Sequence, residues 1–304
     1  MTLRTRLVGV VIVLLLSSCA QTPPRTWDLP GGAKTLRVNG YDMAYVERGA
    51  GQPIVMVHGA LSDFRYFAAA MEPLSEKYRV IAVSLRHYYP ERWDGKSTTF
   101  SLRQHASDVA AFIRALNAGP VHLVGHSRGG SAVLYVASAH PQLIRTLTVA
   151  EGGGNMPAFE GADPAAAAAG QRSLQRSRNT LTLLEQGKIE DGLALFIDDV
   201  SGPGAWKAAP ESIRQVFRDN VWTIKGMAND TFDPYTCADA GRITAPVLLV
   251  TGEKSLPFFA KMAGVMESCV KRAERAVVAN ATHAFPRQNP KGFAEAVVVF
   301  VSKH

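Results

Sequence analysis

The sequence predicts an α/β fold: a mainly parallel β-sheet covered by helices on both faces, with a helical insertion late in the chain. Three observations predict it. Short apolar runs of strand length alternate with longer amphipathic stretches through most of the 304 residues, the pattern of parallel strands joined by crossover helices. The stretch Gly125-His126-Ser127-Arg128-Gly129 stands between one apolar run and a small-residue segment, so Ser127 occupies a sharp strand-to-helix turn. Between residues 152 and 240 strand signals fade, and apolar residues fall at helical spacings.

Residues 36–46 alternate about Asn39-Gly40, and Asn-Gly suits the positive φ values of a two-residue hairpin turn. Residues 54–57 are a continuous apolar run ended by His58-Gly59, the mark of a buried parallel strand. A helix is expected over 65–77 and a strand over 80–83. Ser101 is the expected N-cap of an amphipathic helix over 102–116. Residues 121–124 feed the serine turn, and a strand over 144–149 ends at Ala150-Glu151. Further strands are expected at 247–250 and 276–278, and a helix over 293–301 closes the chain. Inside 152–240, Asp163 as N-cap and Pro164 as first helical residue precede five alanines. Leu174, Leu181, Leu184, Leu193, Phe196, Ile197, Ile213, Val216 and Phe217 supply the helical stripe. The chain thus divides into a core, residues 35–151 and 241–304, and a helical cap, residues 152–240.

Hydrophobic residues make up 47% and charged residues 19%, which supplies a large core and argues against global disorder. The formal net charge is +7, but the basic residues are scattered without interleaved aromatics, so nucleic acid is not an expected partner. At the start, Arg4 and Arg6 precede an apolar stretch over 7–16 that is too short to span a bilayer, then Leu16-Ser17-Ser18-Cys19-Ala20. This order marks residues 1–18 as a secretory signal peptide. Small residues before a cysteine here resemble a bacterial lipobox. That resemblance implies cleavage before Cys19, lipidation of Cys19, and an exported, membrane-anchored lipoprotein, periplasmic or at the cell surface. An ordinary leader cut nearby is the alternative. Pro23, Pro24, Pro30, Gly31 and Gly32 make residues 19–34 a linker. Outside the cytoplasm, Cys237 and Cys269 either pair or remain buried thiols.

A serine hydroxyl is a weak nucleophile alone and needs a base, which an acid in turn orients. Val57-His58-Gly59-Ala60, Gly125 to Gly129, and Ala281-Thr282-His283-Ala284 follow one another in this order. Over roughly residues 35–304 they resemble the α/β-hydrolase superfamily. The resemblance implies the α/β-hydrolase fold, Ser127 as nucleophile, His283 as general base, and an oxyanion hole of the Ala60 and Arg128 backbone N–H groups. The Arg128 side chain is read as half of a structural ion pair. His126 is expected to pack under the turn, and His58 to order the oxyanion loop.

The acid departs from the commonest family pattern, which places an Asp a few residues after the run Val247 to Gly252. Here Ser255 stands about there, and a serine cannot stabilise an imidazolium as a carboxylate does. Some branches of the superfamily, haloalkane dehalogenases and a fungal lactonase among them, place the acid after the strand that follows the serine helix. Glu151 stands at that point and is the assigned acid. Glu253 is the runner-up, and Asp233 and Asp239 trail.

Arg86-His87-Tyr88-Tyr89-Pro90 lies where open α/β sheets bind ligands, so His87 and Tyr88 are candidate pocket residues; a tyrosine-packed loop is the alternative. Trp206, Phe217 and Trp222 from the cap are further pocket candidates. The implied reaction is hydrolysis of a carboxylic ester or lactone through an acyl-enzyme on Ser127, with a small ester-like molecule as the binding partner. C–C bond hydrolysis of a diketone-like substrate is an alternative that the same triad supports in related hydrolases, and a non-catalytic, lipid-anchored binding protein is another. Haloalkane and epoxide chemistry belongs to branches with Asp at the serine position. The mechanism needs no cofactor, and the chain has neither an HExxH motif nor a Cys/His ligand cluster.

Overall fold

The computed structural model describes residues 28–91, 93, 95–96, 98–153, 164–230 and 234–304, with the backbone alone over 164–170. The expected leader, Cys19 and most of the linker lie outside the described residues, as do Asp163 and Asp233. The strands are β1 (Lys34–Val38), β2 (Tyr41–Arg48), β3 (Pro53–Val57), β4 (Arg79–Val83), β5 (Val121–His126), β6 (Ile144–Ala150), β7 (Val247–Gly252) and β8 (Ala273–Val278). They form one sheet in the order β1-β2-β4-β3-β5-β6-β7-β8. The hairpin pairs Val38 with Tyr41 across Asn39 (φ 46°) and Gly40 (φ 72°), and β2 runs antiparallel to β4. Every later pairing is parallel. Strands β3, β5 and β7 are buried along their whole length, which accounts for their unbroken apolar character.

Helices α1 (Ala68–Ser75), α2 (Leu102–Leu116), α3 (Arg128–Ala139), α4 (Pro164–Glu185), α5 (Ile189–Ser201), α6 (Ala205–Ala208), α7 (Glu211–Asp219), α8 (Thr223–Asn229), α9 (Cys237–Ala240), α10 (Pro257–Cys269), α11 (Phe285–Gln288) and α12 (Pro290–Val301) complete the described elements. Helix α2 has the expected bounds, with Ser101 Oγ accepting the Gln104 N–H at 3.0 Å. The helix expected over 65–77 is instead a 3₁₀ turn, Phe64–Phe67, followed by α1. Asp63 starts that turn by accepting the Arg65 N–H. Strand β8 begins three residues before its apolar run because it is a sheet edge, where Glu274 and Arg275 face water at no cost.

From Pro164 to Asn229 every regular element among the described residues is helical, as the insertion predicts. Helix α4 packs on α5 and α8, and α7 touches the 3₁₀ turn of the core. Leu184, Leu193, Phe196, Ile197, Val216 and Phe217 are buried. A polar joint fixes this layer to the core. Asn220 Nδ2 donates to Asp63 Oδ2 at 2.6 Å, Asn220 Oδ1 accepts the Tyr89 N–H at 2.7 Å, and Arg65 bridges Asp63 and Asp219 at 2.7 and 2.8 Å. No helix of the described residues is long and apolar enough to cross a membrane.

Cys237, the first residue of α9, and Cys269, the last of α10, are joined as a disulfide with their Cα atoms 4.7 Å apart. On the chain-entropy model, closing this loop contributes at most about 4 kcal/mol. Thiol titration of the denatured, unreduced protein is expected to find neither cysteine free, and reduction is expected to lower the denaturation midpoint. Two titratable thiols from this pair would remove the crosslink.

Candidate active site

Ser127 stands between the last residue of β5 and the first of α3, at φ 54° and ψ −121°. This left-handed backbone is rare for a side chain with a Cβ and costs on the order of 1–3 kcal/mol. Its neighbours hold it there. The Ser127 N–H donates to the Ala150 carbonyl at 2.9 Å, and the Ser127 carbonyl accepts from the Ser131 N–H at 3.1 Å. Gly129 is required by close approach, because a Cβ there would run into the carbonyls of Val57 and His58. The turn is therefore pressed against the loop that carries Gly59 and Ala60.

Glu151 follows the end of β6 with φ 48°, and its N–H donates to the Val250 carbonyl at 3.0 Å. Its Oε2 accepts a hydrogen bond from His283 Nδ1 at 2.6 Å, and its Oε1 accepts the Gly252 N–H at 2.8 Å. Both side chains are buried. A carboxylate on Nδ1 keeps the proton there and leaves Nε2 as the basic nitrogen. The His283 ring stacks on Phe259 at 4.4 Å, and its carbonyl accepts from His126 Nε2 at 2.8 Å. Burial, then the neighbouring His283, holds His126 well below the ordinary histidine range, so it stays neutral with its proton on Nε2.

Ser127, Glu151, His283, His126, Gly59, Ala60 and Arg128 all line one cavity of about 740 Å³ between the sheet's carboxyl edge and the cap helices. Arg128 is the first residue of α3, where backbone N–H groups look out of the helix. The loop bearing Ala60 is ordered by His58, whose Nδ1 donates to the Gly59 carbonyl at 2.8 Å and whose Nε2 accepts the Leu85 N–H at 3.0 Å. Burial lowers the His58 pKa to about 4, in keeping with this neutral ring. The Arg128 guanidinium forms a buried ion pair with Asp230 at 2.6 Å and lies over the Phe100 ring.

Four expected pocket residues stand elsewhere. His87 stacks on Trp93 at 5.1 Å, and its two nitrogens meet Glu91 at 3.1 Å and Thr99 at 2.9 Å, so its polar atoms are spent on its own loop. Tyr88 is fully buried among His58, Phe100 and His105. Trp206 belongs to the cap's own core against Phe217, and Trp222 is 44% exposed. None of the four lines the cavity, whereas Phe217 does. Glu253 accepts the Asn280 N–H at 2.6 Å, outside the cavity wall, and Asp239 caps α9 through Thr236. Tyr66, Phe259, Met262 and Arg287 are wall residues without a sequence signal, since single side chains on a turn or a helix form no motif.

Replacing Glu151 with Gln is expected to lower turnover of a p-nitrophenyl ester on the order of ten-thousand-fold, because an amide favours the wrong histidine tautomer. The same change at Glu253 should leave turnover close to wild type. The reverse ranking in steady-state rates would move the acid to Glu253.

The model of the Alpha/beta hydrolase family matches residues 54–296, a span holding every one of these groups. The soluble epoxide hydrolase of Corynebacterium sp. (strain C12) is 24% identical over 287 residues, covering 86% of this chain and 94% of that protein. The (E)-2-((N-methylformamido)methylene)succinate hydrolase of Acinetobacter baylyi is 30% identical over 125 residues, 40% of this chain and 45% of that protein. The solved enol-lactonase from Burkholderia xenovorans LB400 is similar in fold, with a TM-score of 0.71 at 17% identity over 88% of this chain and 100% of that one. With the mainly parallel sheet, the strand-to-helix turn at Ser127 and a family match over most of its length, this chain is a hydrolase that belongs to the alpha/beta hydrolase family.

Proposed function

We propose that the protein is a serine hydrolase that cleaves a carboxylic ester, open or cyclic, through an acyl-enzyme on Ser127. The observation that carries this reading is the 2.6 Å hydrogen bond from His283 Nδ1 to Glu151 Oε2, in the wall of the cavity that Ser127 also lines. His283 Nε2 takes the Ser127 proton as Oγ attacks the carbonyl carbon. The oxyanion is held by the Ala60 and Arg128 backbone N–H groups. Collapse of the tetrahedral intermediate expels the alcohol, which takes the proton from His283. Water, deprotonated by the same ring, then attacks the acyl-enzyme and frees the acid and Ser127. Glu151 accepts from His283 Nδ1 and stabilises the imidazolium in both halves.

The residue at the turn argues against the activity of the Corynebacterium relative. A carboxylate that opens an epoxide forms an ester, which water can cleave at its carbonyl. A serine oxygen doing so would form an ether, which the same machinery cannot release. The name of the Acinetobacter relative gives a succinate derivative as its substrate, and the Burkholderia structure is that of an enol-lactonase. Both substrates fit acyl chemistry at a serine.

We also propose that the protein is exported and anchored through lipid on Cys19, a reading supported by the charged, apolar and small-residue order of residues 1–20. Replacing Cys19 with Ala is expected to move the protein from the membrane pellet to the soluble extract; an unchanged distribution would overturn the anchor.

A fluorophosphonate probe is expected to label Ser127, and Ser127→Ala to lose on the order of a million-fold in turnover by the subtilisin precedent. Rates over p-nitrophenyl esters of rising chain length, with lactones alongside, would read the acyl preference. Folded protein that takes no label, or near-wild-type turnover by Ser127→Ala, would sink the mechanism in favour of a binding protein.

A further inference from the structure

Among the described residues, the walls of the cavity carry more cationic than anionic side chains. Arg128, Arg172, Arg176, Arg178 and Arg287 line it, against Glu151, Asp199 and Asp230. All three carboxylates are engaged. Glu151 holds His283, Asp199 meets Arg176 at 2.6 Å, and Asp230 meets Arg128 at 2.6 Å. The described wall therefore carries more guanidinium groups than carboxylates.

Arg287 concentrates that excess. It follows His283 by four residues, on α11, whose Phe285 and Pro286 are buried and fix its backbone. No carboxylate of the described residues pairs with its guanidinium, and its Nε is buried without a hydrogen-bond partner. Its guanidinium is hydrogen-bonded to the Tyr66 side chain. Burial pushes the Tyr66 phenol up to about 12, and the adjacent Arg287 charge works against that rise. The Tyr66 ring stacks on His126 at 5.3 Å, and the His126 ring lies 4.7 Å from that of His283. Two ring contacts thus connect the guanidinium to the base. A planar guanidinium on the cavity wall, with no carboxylate partner among the described residues, is suited to charge-assisted hydrogen bonding with a carboxylate. A neutral substrate would bring no countercharge to that guanidinium.

We propose that Arg287 binds a carboxylate of the substrate, so that the esters taken at this site are half-esters of dicarboxylic acids or lactones that bear a carboxylate, with the scissile carbonyl over Ser127. The proposal rests on the ester-hydrolase reading and names its substrate class. The carboxylate end sets where the molecule lies and how deep it enters. The ester end is then presented to Ser127, which is how binding energy away from the reacting atoms becomes orientation at them.

The test compares kcat/KM for monomethyl glutarate and dimethyl glutarate, which share one carbon skeleton, followed by pH-stat in the wild type, Arg287→Gln and Arg287→Lys. The wild type is expected to favour the half-ester roughly ten- to a hundredfold, the range of one charge-assisted hydrogen-bonded pair. Arg287→Gln should erase the preference, mainly through KM, Arg287→Lys should restore part of it, and added salt should shrink it. Circular dichroism melting shows whether each variant is folded. A wild type without the preference, or a folded Arg287→Gln that keeps it, overturns the proposal while ester hydrolysis stands. If neither ester is cleaved and Ser127 takes no fluorophosphonate, the ester reading has failed, and the carboxylate site is read by binding. Glutarate that raises the wild-type melting temperature but not that of Arg287→Gln supports the site. No rise, an equal rise in the variant, or a larger rise with inorganic phosphate overturns it.

Discussion

The hydrogen bond between His283 Nδ1 and Glu151 Oε2 sets the arrangement of the whole cavity. A buried carboxylate is stable only when both oxygens have partners. Here one oxygen takes His283 and the other takes the Gly252 N–H at the end of β7. The backbone around it continues the same stitching: Ser127 N–H to the Ala150 carbonyl, and Glu151 N–H to the Val250 carbonyl. The ends of β5, β6 and β7 are thus tied in sequence, with His126 opposite Ala150 and Ala150 opposite Val250. Serine and acid sit one residue beyond that matched row. A one-residue slip between β5 and β6 would turn one of them to the other face of the sheet.

Ser127 and Glu151 both leave their strands in the left-handed region, at φ 54° and 48°. Two such residues in adjacent positions are costly, and the surrounding backbone has to hold them. Gly130 and Gly152 show how. A Cβ on Gly130 would come within 2.7 Å of Gly152 Cα, and one on Gly152 within 2.5 Å of Gly130 Cα. The first turn of α3 therefore lies backbone to backbone against the chain leaving β6. Any side chain at either position would part the two turns and carry Ser127 away from Glu151. This close approach accounts for glycine beyond the short motif around the serine, both in α3 and after the acid.

Local signals carried much of the fold. Asn39-Gly40 specifies its own turn, Ser101 caps its own helix, and the apolar runs at β3, β5 and β7 reflect burial on both faces. The pairing of Glu151 with His283 was legible for a different reason: Ser255 offers no carboxylate, and the superfamily branches with an acid after the strand corresponding to β6 pointed to Glu151. The cavity wall was not legible. Tyr88 and Phe217 are both aromatic residues near the carboxyl edge, yet Tyr88 is claimed by His58, Phe100 and His105, while Phe217 faces the cavity. That choice is made by packing between segments far apart in the chain. The same holds for Arg287, which has no carboxylate partner among the described residues, since no sequence position announces a missing partner. Edge strand β8 was read short because a half-exposed strand does not show an unbroken apolar run.

Three histidines stand close together near the cavity, and the proposed mechanism makes only one of them a base. His58 has both nitrogens engaged with the backbone and is held neutral by burial. His126 lies 4.7 Å from His283, donates its one proton to the His283 carbonyl, and is likewise held neutral by burial. Were His126 to gain a proton, its charge would oppose the imidazolium that the proposed mechanism forms on His283. Keeping it neutral removes that opposition, while its hydrogen bond fixes the loop on which His283 sits. Of the three, His283 alone has a carboxylate on Nδ1. The neighbouring rings thus act by position and by their lack of charge, and in the proposed mechanism Glu151 selects the ring that accepts the Ser127 proton.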